Sequence, residues 1–366
     1  MFAYQVIEEK IDYIIDTDIG GDIDDVLALI VAMNCHAKPQ AITTTHIEPE
    51  EKAKIAKFIV TQCGHAEVPV YAGIGCKRTD KKSQFIEQNP LFPAKFGYPN
   101  PDKEDKAWYP NQAAAYKEKY GSAFNEMKIE KESAPEVIVN LSKKYSPDNK
   151  LTIVALGPLH NLDAALKLDP SIARNIKLIS MGGVYPKGYN WLIAPEVTAR
   201  VISQVETMVI TNELIVKNKL FITQDELTAI IDKMQSKFAK TILKDWTNWH
   251  QADHFNKKET NLYDPVTLYL ALHPHLIASS IKKQITFPCI DKNGEIRQSQ
   301  FKNCWYFKPG LDNQIISVSD AKESNTRFVS ELVSPGAIKQ AIHEKISTAL
   351  TKNDDSMSHA SQLKCK

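Results

Sequence analysis

Five aspartates fall within ten residues near the start of the chain: Asp16, Asp18, Asp22, Asp24 and Asp25, in the stretch IIDTDIGGDIDDVLA at residues 14–28. Carboxylates this close repel one another unless a cation neutralises them. On a bent loop they supply the oxygen ligands that a hard divalent ion needs, roughly six to eight for calcium. Helix capping accounts for one or two of them, since Asp24 or Asp25 can accept N–H groups where a helix begins and negative charge is favoured there. It does not account for five. An EF-hand requires glutamate at the twelfth loop position, which here is Leu27, so that reading fails. An aspartyl-phosphate phosphatase also sets Asp-x-Asp at a strand end, and Asp16-Thr17-Asp18 keeps it open as the runner-up.

The elements that must position these carboxylates can be read from the apolar pattern. Residues 11–15 read as a buried strand and residues 26–33 as an apolar helix. The aspartates thus sit on a tight strand-to-helix turn, for which Gly20 and Gly21 are expected to supply the unusual backbone angles. In an open α/β sheet, that turn lies at the carboxyl end of a strand, where ligands bind. Further strands are expected at residues 40–45, 68–72, 151–156, 176–181, 208–211 and near 314–318, with a hairpin at Asn293-Gly294. Helices are expected over residues 49–62, 134–145, 162–168, 233–258, 266–272 and 334–349, with one starting at Pro195 and one capped by Thr223-x-x-Glu226. This alternation predicts an α/β fold, an open and mostly parallel sheet with helices on both faces. A single domain over residues 1–350 is expected, followed by a polar, disordered tail. Residues 77–130, rich in proline, charge and aromatic side chains, read as a long insertion of the kind used for lids or subunit contacts.

Composition narrows the function. With 45 basic and 44 acidic residues, no broad basic face for nucleic acid is expected. No apolar run approaches the roughly 18 residues of a membrane span. The first residues lack a basic start followed by an apolar core, and the six cysteines form no CxxC pair, so a reducing, cytoplasmic setting is the expectation. His250 and His254 share a helix face and suit a metal pair, although an exposed polar face is the plainer reading.

Four separated pieces carry a resemblance: DTDIGGDIDDVLAL, VALGPLHNL, SMGGVYPKGYNW followed by PE, and LYDP. In this order they resemble the nucleoside hydrolases, the inosine-uridine-preferring N-ribohydrolases, over residues 11–275. The resemblance implies a calcium-dependent hydrolase, a homo-oligomer acting on a nucleoside or related riboside, with metal-bound water attacking the anomeric carbon. It maps the Ca2+ ligands onto Asp18, Asp25, the main-chain carbonyl of His160, and Asp264. Asp18 doubles as the base, and Asp24 grips the sugar. The departures lie elsewhere. Where some members have a histidine to protonate the leaving base, this chain has Tyr263, a weaker acid that still donates a hydrogen bond. The glutamate of a Glu-aromatic-Asn motif is replaced in Gly188-Tyr189-Asn190, leaving Tyr189 and Asn190 as substrate contacts. Glu48 stands where a Gly-Asn or Gly-Asp is usual. The sugar-and-cation half is retained and the base half altered, which fits an active hydrolase with changed substrate or, alternatively, an inactive metal- and sugar-binding descendant. Trp191 is a further candidate for stacking on a base.

Overall fold

The computed structural model describes residues 11–76, 117–118, 121–182, 189–192, 195–232, 237–252, 258–290, 296–299, 316–318 and 324–351. The apolar run ahead of the aspartates forms β1 (Tyr13–Thr17), buried along its whole length. Successive residues point to opposite faces of a strand. Accordingly, Ile15 joins a core with Leu27, Phe58, Val266 and Ile342, while Ile14 joins a second core with Ile153, Leu162 and Val201. A strand apolar on both faces belongs mid-sheet, with helices above and below.

In chain order the strands that follow are β2 (Ala41–Ile47), β3 (Val70–Cys76), β4 (Leu151–Ala155), β5 (Ile176–Met181), β6 (Glu206–Ile210), β7 (Phe221–Thr223), β8 (Glu259–Asn261), β9 (Ile277–Lys282), β10 (Gln284–Ile290), β11 (Ile296–Ser299), β12 (Ile316–Val318) and β13 (Thr326–Leu332). The main sheet has eight strands in the order β3-β2-β1-β4-β5-β6-β13-β9. All its pairings are parallel except β13 with β9. The strand order reverses between β1 and β4, and the crevice beyond the carboxyl ends at such a point is where open α/β sheets bind ligands. β7 and β8 form an antiparallel ribbon, and β10 pairs with β11 and β12 in a small separate sheet.

The helices are α1 (Asp24–Asn34), α2 (Pro49–Gln62), α3 (Ala134–Ser142), α4 (His160–Leu168), α5 (Tyr189–Leu192), α6 (Pro195–Ile202), α7 (Asn212–Lys217), α8 (Gln224–Ile231), α9 (Lys237–Ala252), α10 (Tyr263–Leu272) and α11 (Pro335–Thr351). α1 is buried from Asp24 to Met33, wedged between the sheet, α10 and α11. Its side chains are apolar all round, which suits a helix with no solvent face. Each of Leu27, Leu29 and Ile30 contributes roughly 1.5–3 kcal/mol by burial, and together they fix the helix start that carries Asp24 and Asp25.

The expected fold class holds, and most elements fall within a few residues of their predicted bounds. Ser133 with Glu136 and Thr223 with Glu226 form capping boxes at the starts of α3 and α8. Three expectations need correction. Of the two turn glycines, Gly20 alone takes a positive φ, +109°, and Gly21 does not. α10 begins at Tyr263, ahead of the predicted residue 266. The sequence reading also missed β9 and β13, which complete the main sheet, and the β7–β8 ribbon. The hairpin turn at Asn293-Gly294, residues 77–116 of the insertion and the tail from residue 352 lie outside the described residues. Within the insertion's remainder, Phe124 is fully buried against Phe58, ring centroids 5.7 Å apart. Among the described residues, no helix is long and apolar enough to cross a membrane.

Candidate active site

Asp24, Asp25 and Asp264 each offer a carboxylate oxygen, and these atoms lie within 4.8 Å of one another. All three side chains are buried. None of the three is an N-cap residue. The N-cap of α1 is Ile23 and that of α10 is Leu262, neither with a side-chain cap, and the aspartates lie just inside the first turns. Two helix starts, far apart in the chain, are aimed at one point by the packing of α1 against α10.

The electrostatics of this point are severe. Burial first, and then repulsion from Asp22, Asp25 and Asp18, drives the Asp24 carboxyl well above the usual range, against a hydrogen bond from the Asp264 backbone N–H. Asp264 is driven up by burial and then by Asp24, Asp25, Asp18 and Asp22. Asp25 is driven up by burial and Asp18, offset by the Thr17 hydroxyl, which donates to its Oδ1, and by Lys52. Asp18 is half-buried; burial raises it too, and the Lys52 ammonium pulls it back. Lys52 donates to the Asp18 backbone carbonyl, so it is a fixed positive charge at the edge of the acidic group. The donor set is all carboxylate oxygen, buried and mutually repelling, which fits a hard cation and not a thiolate- or imidazole-seeking one.

Beneath this layer lies a network that the sequence reading missed. Asn161 Nδ2 donates to Asp16 Oδ1 at 2.7 Å and to the Thr44 carbonyl at 3.0 Å, and its Oδ1 accepts from the Ile74 N–H at 2.7 Å. One buried side chain thereby ties α4 to β1, β2 and the end of β3. The fit is close: a Cβ on Gly73 would lie 2.1 Å from Asn161 Oδ1. Thr43 also donates to Asp16 Oδ1, at 2.7 Å. Burial pushes the Asp16 carboxyl up to about 7. It is fully buried, so it cannot present a nucleophile to a substrate, and the phosphatase reading loses its reactive group. The sequence signal for Asn161 was its place in the VALGPLHNL motif at a helix start, which named no role for its side chain.

The remaining predicted residues are distributed around this centre. The β4–α4 turn carries His160, whose ring is held down to about 4, chiefly by burial, and is therefore neutral near pH 7. A Cβ on Gly157 in the same turn would lie 3.0 Å from Asp18 Oδ1, so the turn and Asp18 are in close contact. Asn190 is buried and donates to the Leu156 carbonyl, tying α5 to the same turn. The backbone of Tyr189 lies in α5; its side chain, and Gly188, are outside the described residues. Glu48, between β2 and α2, has φ +52°, two residues after His46 at φ +77°. Such left-handed backbone is costly for residues other than glycine and clusters at functional edges.

Tyr263 opens α10 beside Asp264. Burial, then Asp24 and Asp22, push its hydroxyl up to about 12. Two candidates leave the list. Trp191 is fully buried, donates to Ser180 Oγ at 2.9 Å and packs against Phe328, so it is core and does not stack on a base. His250 Nε2 meets Thr260 Oγ1 at 2.7 Å and its ring stacks on Trp246, a structural use; His254 is outside the described residues.

The sequence profile of the inosine-uridine preferring nucleoside hydrolases matches residues 13–332. The chain belongs to this family. The match extends beyond the 11–275 span of the motifs and takes in the two strands at the far edge of the sheet. Among curated nucleoside hydrolase relatives, a probable uridine nucleosidase 2 of Arabidopsis thaliana is 26% identical over 279 residues, 72% of this chain and 78% of that protein. The pyrimidine-specific ribonucleoside hydrolase RihA of Shewanella woodyi is also 26% identical over 279 residues, 73% of this chain and 80% of its own. Among solved structures, a purine-preferring ribonucleoside hydrolase from Gardnerella vaginalis superposes with a TM-score of 0.63 at 21% identity, covering 93% of this chain and 99% of that one. The plant nucleoside hydrolase PpNRh1 gives 0.61 at 19%, with the same coverage. At these identities the structural likeness establishes the nucleoside hydrolase fold.

Proposed function

We infer that this nucleoside hydrolase cleaves the N-glycosidic bond of a ribonucleoside or related riboside with a bound calcium ion. The observation that carries the reading is the meeting of Asp25 and Asp264 with Asp24 at a single buried point. Asp18, Asp25, Asp264 and the His160 carbonyl would hold the ion. When bound, it would neutralise the carboxylates, orient the sugar diol and acidify water beside it.

The chain's own residues do the rest. Asp24, Asn190 and Glu48 grip the ribose. The C1′–N bond breaks with its electron pair going to the base nitrogen, leaving an oxocarbenium-like sugar that the surrounding carboxylates stabilise. Water bonds to C1′ as Asp18 takes one of its protons. The departing base takes up one proton from solvent while Asp18 returns its own to solvent, so nucleoside and water give free ribose and free base. Tyr263 stays protonated through the neutral range and donates a hydrogen bond toward the leaving group.

The test is incubation with a panel of purine and pyrimidine nucleosides, with calcium and after chelation, assayed for free base. Release that depends on calcium is expected. Binding of metal and ribose with no release from any riboside would replace the enzyme with a non-catalytic binder.

A further inference from the structure

The geometry points to the Asp163–Arg200 ion pair as a positioning device that fixes the β4–α4 turn relative to α5, and so sets a calcium contact and a ribose contact together. This rests on the hydrolase reading above, which puts the His160 carbonyl on the ion and Asn190 on the sugar.

α4 begins without a side-chain cap, because its N-cap residue is Leu159. Its first turn is held from outside instead. On the sheet side, Asn161 reaches β1, β2 and the end of β3. Two residues on, about 200° around the helix, the buried Asp163 meets α6. There Arg200 Nε donates to Asp163 Oδ1 at 2.8 Å and Nη2 donates to Oδ2 at 2.9 Å. Lys167 also reaches Oδ2, at 2.7 Å. A two-point contact between guanidinium and carboxylate fixes direction as well as distance. The apolar contacts that also join α4 to α6 in the second core are non-directional and permit sliding.

The contacts close into a ring. Thr198 Oγ1, on the same helix as Arg200, donates to the Trp191 carbonyl at 3.3 Å. Trp191 follows Asn190 in α5, and Asn190 Nδ2 donates to the Leu156 carbonyl at the head of the β4–α4 turn. The path thus runs from the turn along α4 to Asp163, across to Arg200, back through Thr198 to α5, and by Asn190 to the turn again. His160 and Asn190 both lie on it. The Arg200 side chain is 37% exposed, so the pair adds little to stability and its effect falls on geometry. Small displacements at a site of this kind are costly, up to about a hundredfold in rate for roughly 1 Å.

The test measures two constants on the full-length protein. One is the calcium Kd by calorimetry; the other is KM, at saturating calcium, for the nucleoside turned over fastest in the panel. Asp163→Asn and Arg200→Met are each expected to raise both by roughly fivefold or more. Arg200→Lys, which keeps the charge but a single point of contact, should fall between them and wild type, and it keeps the test open should either neutral variant unfold. Glu206→Gln breaks the Lys150–Glu206 pair, 2.6 Å long and at the amino end of the sheet, and should leave both constants within about twofold. Unchanged constants in the folded Asp163 and Arg200 variants overturn the inference, as does a shift in one constant alone or an equal shift in Glu206→Gln. Each of these leaves the hydrolase reading standing. A wild-type protein that binds no calcium, or releases no base, overturns the hydrolase reading, and this inference with it.

Discussion

Tyr263 and Asp264 are consecutive residues on the first turn of α10, yet they serve opposite kinds of environment. Asp264 enters a group of buried carboxylates that repel one another. The Tyr263 hydroxyl accepts a hydrogen bond from the neutral Asn261 amide at 2.9 Å, a directed contact in place of charge. The charged end is suited to holding a sugar diol and a water, and the neutral end to meeting a leaving group. The difference also shows which half can vary. With calcium bound as proposed, removing one carboxylate would leave the ion under-coordinated, whereas a neutral donor can be built from several side chains.

Four experiments sharpen or break this contrast. The largest effect is expected from Asp18→Asn, which should lower kcat for base release by at least about 10³, roughly 4 kcal/mol of barrier, with folding unchanged by circular dichroism. Near-full activity would remove the charged end from the chemistry. Next, Asn161→Ala should cost roughly 3 kcal/mol of stability in urea unfolding, because it strands the Ile74 N–H and leaves the buried Asp16 with Thr43 as its remaining side-chain donor.

Third is the dependence of stability on calcium and pH. Asp24, Asp25 and Asp264 have folded pKa values above their unfolded ones, so the folded metal-free protein binds more protons than the unfolded chain. Their contribution is then present at low pH and lost as pH rises through the folded values. Calcium replaces those protons. At about 100 times its Kd it should add roughly 2.7 kcal/mol, seen as a Tm rise of several degrees at pH 7.5 and a much smaller one at pH 5. An equal rise at both would mean that the ion binds elsewhere. The smallest effect is expected from Lys52→Met. Removing this fixed positive charge should tighten calcium binding about fivefold by calorimetry, about 1 kcal/mol, whereas a merely structural lysine would leave affinity unchanged or weaker.

Much of the charged end was legible in the sequence. The aspartates are close together, their strand-to-helix setting follows from local hydrophobic pattern, and the LYDP motif flagged Asp264. Gly20 was read correctly as the turn residue with positive φ, and Gly21 was not, because a sequence cannot show which of two glycines absorbs the bend. Trp191 and the His250/His254 pair were overread. An aromatic ring near a motif, or a histidine at helical spacing, has the same local signature whether it faces a ligand or the core. β13 was missed because its TRFVSEL carries only a short, partly polar alternation, and parallel pairing with β6 sustains it.

By itself, the sequence determined that acidic groups crowd a turn at the end of an apolar strand, and that the chain alternates strand with helix. Those are consequences of near neighbours and backbone propensity. Only the tertiary structure decided that α1 and α10 start at the same point, and that Asn161 ties three strands to α4. These contacts join distant residues through the order of strands in the sheet, and no local pattern encodes which strand lies beside which.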